Sequence, residues 1–219
     1  MTRIRVKICG LTTADMVREA AAAGADAIGL VLAESPRQVT AGQARELLAA
    51  VPIGVERIAV YRSPTAADLE AITDLPFDGI QADATWEGAE SLPADRFFLP
   101  VLADGPDLVD RARLVADDVR RYAARLNVSL SGSFLIDGPR GGGKGIPVDL
   151  ERAEAAARLG RMVLAGGLRP ETVAAAAERV RPAAVDVSSG VEERPGIKDP
   201  RAVARFITAV RCIEMEGTP

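Results

Sequence analysis

The chain has 219 residues, 48% of them apolar and 26% charged, with a formal net charge of −4 and no histidine. This is the balance of a soluble globular protein with enough apolar residues for one core, which excludes disordered and collagen-like classes; the acidic total and the absence of a basic patch argue against a nucleic-acid partner. Without histidine there is no imidazole acid–base chemistry, no Ser-His-Asp triad and no histidine metal ligand, so carboxylates, Lys, Tyr or a thiol must move any protons.

In chain order, short apolar runs alternate with Ala/Arg/Glu-rich stretches eight times. The predicted strands are Ile4–Ile8, Ala27–Leu32, Arg57–Tyr61, Phe77–Gln81, Phe97–Leu102, Ser133–Asp137, Arg161–Ala165 and Ala184–Val187. Most are apolar without strict alternation, as parallel strands buried on both faces are. A helix from Thr13 to Ala23 opens on a threonine cap and gathers Met16, Val17, Ala20 and Ala21 on one face. Thr40 to Ala50 repeats the pattern with Ala44, Leu47 and Leu48. Helices at Pro170–Val180 and Pro200–Arg211 begin with proline in the first turn. Eight such units in this length predict a single-domain α/β protein, a (β/α)8 barrel spanning 1–219. An open doubly wound sheet fits less well, because its phosphate loop follows the first strand and here the glycine loops come late. Met1 to Leu11 lacks the apolar stretch of a signal peptide and nothing approaches a membrane span, so a cytoplasmic location without membrane attachment is expected.

Barrel enzymes keep their chemistry at the carboxyl ends of the strands. Cys9 ends the first strand, on the same face as Lys7. It is either a group at the barrel mouth or a small buried hydrophobe. A buried Lys7 needs a carboxylate, and Asp186, on the strand that closes the barrel against the first, is the natural partner. Asp137 ends the sixth strand before a Gly/Pro-rich loop, 137–149, of the kind that forms lids; it either initiates a turn or serves the mouth. Together a thiolate and a carboxylic acid make a base and an acid, if the site lowers the thiol from about 8.5 and raises the carboxyl from about 3.9. Ala165-Gly166-Gly167-Leu168 and Ser188-Ser189-Gly190, after strands seven and eight, are read as a phosphate cradle rather than two ordinary turns, with the first loop opening onto a helix. Arg37 is placed at the mouth, where it is either solvated or free to fork onto a carboxylate. Gly138 to Lys144 imitates a nucleotide loop, but Gly145 stands where a Ser or Thr should hold magnesium. Cys9 and Cys212 form no CxxC pair, and no metal site is expected.

At these residues the sequence resembles the phosphoribosylanthranilate isomerases, (β/α)8 enzymes of tryptophan biosynthesis. The matching segments are Lys7-Ile8-Cys9-Gly10-Leu11-Thr12, Ala23 to Gly29, Ser35-Pro36-Arg37, Leu135-Ile136-Asp137, Ala165 to Leu168, Asp186 to Glu192 and Pro195-Gly196-Ile197-Lys198-Asp199. The resemblance implies a cofactor-free Amadori rearrangement of a small phosphorylated aminosugar by a monomer or homodimer. It implies Asp137 as general acid and Cys9 as base. Arg37 would bind the anthranilate carboxylate, Gly166, Gly167, Ser189 and Gly190 the phosphate, and Asp186 the ribose hydroxyls or Lys7. A paralogous Amadori isomerase and a non-catalytic barrel binding phosphorylated ligands are the alternatives. The chain departs from the family at Gln81-Ala82-Asp83-Ala84, where Asp83 replaces the usual histidine, at Val60-Tyr61-Arg62, and in the strand-six loop, which gains a residue and loses its aromatics.

Overall fold

The computed structural model describes residues 3–123, 130–139 and 145–216. Eight strands form one closed parallel barrel in chain order: β1 Arg5–Cys9, β2 Ala27–Val31, β3 Glu56–Val60, β4 Gly79–Asp83, β5 Phe97–Ala103, β6 Ser133–Asp137, β7 Arg161–Leu164 and β8 Ala184–Val187. The expected strands are all present. β4 lies two residues later than its apolar run suggests: Phe77 is buried among the helices instead, and Asp78 forks onto Arg57 at the foot of β3. β1 closes on β8 with Lys7 opposite Asp186.

The helices are α1 Ala14–Ala22, α2 Ala41–Ala49, α3 Ala66–Glu70, α4 Leu108–Ala123, α5 Leu150–Ala157, α6 Val173–Val180 and α7 Pro200–Glu216, with a 3-10 turn at Glu87–Ser91 between β4 and β5. Thr13 caps α1 by accepting from the Met16 N–H, and Thr40 forms a full capping box with Gln43. α6 starts later than the proline at 170 indicates. The intervening residues form a turn in which the Arg169 N–H donates to Thr172 Oγ1. A short antiparallel hairpin, β9 Glu192–Arg194 and β10 Ile197–Lys198, follows β8. Among the described residues no helix is long and apolar enough to cross a membrane.

Parallel strands alternate between two cores. The outward residues, among them Val6, Ile8, Ile28, Leu30, Ile80, Ile136, Leu164 and Val185, pack against the helices. The inward ones, including Ala27, Ile58, Phe97, Leu99, Leu135, Val163 and Ala184, fill the lower barrel as an apolar plug. Gly79 belongs to this plug, since a Cβ there would come within 2.6 Å of the Phe97 ring. The cleft above the plug is therefore floored, not a pore.

The foot of the barrel is tied by Asp26, which accepts from the Val6 N–H at 2.8 Å and from Arg211 of α7 at 2.8 Å, with Arg3 at 2.9 Å and Arg5 at 3.5 Å. Asp26→Ala leaves the buried Val6 N–H without its acceptor and removes the carboxylate that Arg211 shares with the carbonyls of Ile4 and Gly24, so it is expected to lower unfolding stability by about 1–3 kcal/mol. Denaturant titration measures this, and KM for any substrate at the opposite end should stay unchanged.

Candidate active site

β1 carries two polar side chains inward one above the other. Lys7 is 0% exposed and its Nζ lies 2.8 Å from Asp186 Oδ1. Burial works against its charge, but Asp186 and Cys9 outweigh burial and hold the ammonium above its usual value. Cys9 sits one layer higher, buried at the mouth. Burial raises its thiol, and the opposing pull of Lys7 and, more weakly, Lys198 does not cancel that rise. Both side chains fit because their neighbour on β2 is Gly29: a Cβ there would stand 2.9 Å from Cys9 Sγ and 3.1 Å from Lys7 Nζ.

Asp137 ends β6 and points into the same cleft. Its Oδ1 accepts from the Gly138 N–H at 2.7 Å. Burial pushes its carboxyl up, this hydrogen bond pulls it down, Asp186 adds to the rise, and the result is about 6. A carboxyl there changes protonation state close to neutrality, as an acid catalyst must.

Around the mouth, Asp137 is followed by the β7 loop, the β8 loop, Cys9 and then Arg37, which lies after β2. Gly166 and Gly167 have φ of 80° and 66°, and side chains there would collide with Gly138 N and Pro147 N respectively. A Cβ at Gly190 would overlap Leu168 O. The three glycines thus let the loops after β6, β7 and β8 pack against one another. Among the described residues, the backbone N–H groups of Gly166, Gly167, Ser189 and Gly190 are not bonded to the protein's own acceptors. The β7 loop does not open directly onto a helix, because α6 begins at Val173. At the β7 loop the available groups are the Gly166 and Gly167 N–H alone, whereas Ser189 and Gly190 open a short 3-10 turn, Ser189–Val191.

Arg37 is 7% exposed and forks onto Glu192, with Nε to Oε1 and Nη2 to Oε2 both at 2.7 Å. Its Nη1 has no partner among the described residues and remains available to the cleft. Glu192 also accepts from Lys198 at 2.8 Å, and Lys198 donates to Ser188 O at 3.0 Å. Burial raises the Glu192 carboxyl, but these two cations more than reverse it and hold it below its usual value. The hairpin that carries Glu192 and Lys198 is pinned where Thr12 Oγ1 donates to Gly196 O at 2.7 Å. Its turn residue Gly196 would clash with Pro36 O if it bore a Cβ.

All eight expected residues, Cys9, Arg37, Asp137, Gly166, Gly167, Asp186, Ser189 and Gly190, line one cleft. Glu192 and Lys198 were legible only as part of a motif. The Pro195-Gly196 turn between them is the signal that a hairpin brings them together. Gln81, Arg62 and Asp83 also line the cleft. Burial raises the Asp83 carboxyl and Arg62 opposes it. Residues 140–144, including Lys144 of the false nucleotide loop, lie outside the described residues. The end of that loop is anchored where Asp104 accepts from the Asp149 N–H at 2.9 Å and forks onto Arg152.

Comparison with known proteins agrees with this geometry. Residues 105–209 match the family model described as N-(5'-phosphoribosyl)anthranilate (PRA) isomerase. The N-(5'-phosphoribosyl)anthranilate isomerase of Acidithiobacillus ferrooxidans is 40% identical over 216 residues, covering 96% of this chain and 99% of that protein. The crystal structure of phosphoribosyl anthranilate isomerase from Thermotoga maritima superposes with a TM-score of 0.81 at 27% identity, covering 95% and 99% of the two chains. A phosphoribosyl anthranilate isomerase in complex with reduced 1-(o-carboxyphenylamino)-1-deoxyribulose 5-phosphate superposes with a TM-score of 0.76 at 25% identity, covering 95% and 99%. With 40% identity over nearly the full length of both chains, the chain belongs to the phosphoribosylanthranilate isomerase family.

Proposed function

We propose that this protein converts N-(5'-phosphoribosyl)anthranilate to 1-(o-carboxyphenylamino)-1-deoxyribulose 5-phosphate, the isomerisation step of tryptophan biosynthesis. The observation that supports this reading is the placement in one cleft of a thiol, a raised carboxyl, an arginine and four backbone N–H groups that meet no acceptor among the described residues. The substrate has matching ends, a carboxylate for Arg37 Nη1 and a phosphate for Gly166, Gly167, Ser189 and Gly190.

Asp137 gives its proton to the furanose ring oxygen as the bond from that oxygen to C1 breaks, and the nitrogen lone pair forms the iminium. Cys9, as thiolate, takes the proton from C2. The C2–H electrons become the C1=C2 bond and the iminium π pair returns to nitrogen, giving the enolamine. A proton reaches C1 as the C2 hydroxyl loses its own, and the ketone results. The electron count does not change, so the reaction needs no cofactor. Each acid–base contribution of this kind is worth about 10²–10⁴-fold.

The pair must carry one proton in total. In the empty site burial favours that proton on Cys9 and leaves Asp137 ionised above about pH 6. Bound substrate, with its phosphate and aryl carboxylate, further disfavours the Asp137 anion, while the oriented cations Lys7 and Lys198 face the thiolate. Asp186 stays paired with Lys7 and fixes that ammonium beside the thiol. A cytoplasmic monomer or homodimer acting on a free small molecule, without nucleic acid or membrane, completes the reading.

Cys9→Ser and Asp137→Asn are each expected to cut kcat by about 10²-fold or more, followed by loss of substrate fluorescence; normal turnover in either would refute the assignment. For the wild-type protein, kcat/KM should rise with pH through a limb near 6, set by Asp137, and a profile flat from pH 5 to 8 would contradict it. Because the folded carboxyl titrates above its unfolded value, its favourable contribution is complete below about pH 4 and is lost as pH rises through about 6. Asp137→Asn should therefore be more stable than wild type by about 2 kcal/mol at pH 8 and equal to it at pH 4, measured by thermal unfolding at both values.

A further inference from the structure

Gln81 is an inward-facing residue of β4 that neither the fold nor the acid–base steps account for. It is 7% exposed, lines the cleft, and its side-chain oxygen is buried without a hydrogen-bond partner. Its register neighbours are Val60 on β3 and Leu99 on β5, both apolar. An unsatisfied acceptor over an apolar plug is destabilising, and an apolar side chain of the same size would relieve it. No protein group meets this oxygen, and the cleft that Gln81 lines is the side from which a partner can approach it.

In a ring of eight strands β4 stands opposite β8, so Gln81 faces the wall that bears Asp186, while Cys9 projects from the adjoining β1. A tetrahedral carbon that turns its hydrogen toward Cys9 can turn its hydroxyl toward the β4 wall. We infer that the Gln81 amide accepts a hydrogen bond from the C2 hydroxyl of the bound aminosugar phosphate and thereby sets the rotation about C1–C2 that presents the C2 hydrogen to Cys9. The inference rests on the isomerase reading above. An amide suits both ends of the reaction, because the same group rotated by half a turn donates N–H to the C2 ketone of the product. A carboxylate would accept from the hydroxyl but repel the ketone oxygen.

The test pairs a residue change with a ligand change. Two non-reacting inhibitors are used, the reduced product analogue, which keeps a hydroxyl at C2, and its 2-deoxy counterpart. Wild-type protein should bind the 2-deoxy compound roughly tenfold more weakly. In Gln81→Met, which keeps length and volume, the difference should shrink to less than about twofold, with kcat reduced more than KM is raised. Gln81→Leu serves as a second apolar variant. Both should melt at or above the wild-type temperature, since an orphaned polar group has been removed. Equal discrimination between the inhibitors in wild type and variants would overturn the inference, as would a large fall in melting temperature in both variants, which would make the amide structural. If wild type turns over substrate but does not distinguish the two compounds, the inference fails and the isomerase reading stands. If wild type neither turns over substrate nor binds either compound, the isomerase reading fails and takes the inference with it.

Discussion

The ion pair between Lys7 and Asp186 is the constraint around which the upper barrel is arranged. An ammonium with no exposure is tolerated only beside a close carboxylate. Closure of the barrel supplies one, because register places the two residues opposite each other at the β1–β8 seam. The pair separates an apolar lower barrel from a polar cleft and puts a fixed positive charge beneath Cys9. It also dictates its neighbour: β2 must present Gly29 there, since any side chain would displace the ammonium or the thiol. One charge pair thus sets the depth of the site, the electrostatics of the thiol and the identity of a residue on another strand.

A second shared carboxylate governs the rim. Glu192 is held by Arg37 and Lys198, and Lys198 in turn holds the carbonyl of Ser188, next to the β8 glycine loop. The guanidinium near the β2 end and the loop near the β8 end are therefore spaced by one hydrogen-bonded unit rather than by two independent loops. A ligand with an anion at each end meets two sites whose separation is fixed before it arrives, so less ordering is needed on binding.

Much of this was legible in the sequence. Apolar runs separated by capped helices gave the eight strands, and alternation within β1 put Lys7 and Cys9 on one face because strand period is a local property. The Lys7–Asp186 pairing followed from closure, a topological inference. What escaped depended on contacts between distant segments. β4 lies beyond its apolar run because Phe77 is apolar for the sake of the helix layer, not the strand, and hydropathy does not say which layer a residue fills. α6 starts after Pro170 because proline also suits the turn that precedes the helix. Gln81 could have been flagged as a polar residue between Ile80 and Ala82 in an apolar strand, but only the structure reveals that its oxygen lacks a partner. The hold of Glu192 on Arg37 spans 155 residues and leaves no local trace.

The knot of charges around Asp26 and the cleft around Cys9 lie at opposite ends of the barrel, with the apolar plug between them. Sequence change at one end therefore has little leverage on the other. Lineages of such a barrel are free to adjust to hotter or colder habitats through the foot while the cleft stays as it is, or to reshape the cleft while inheriting an unaltered thermal tolerance.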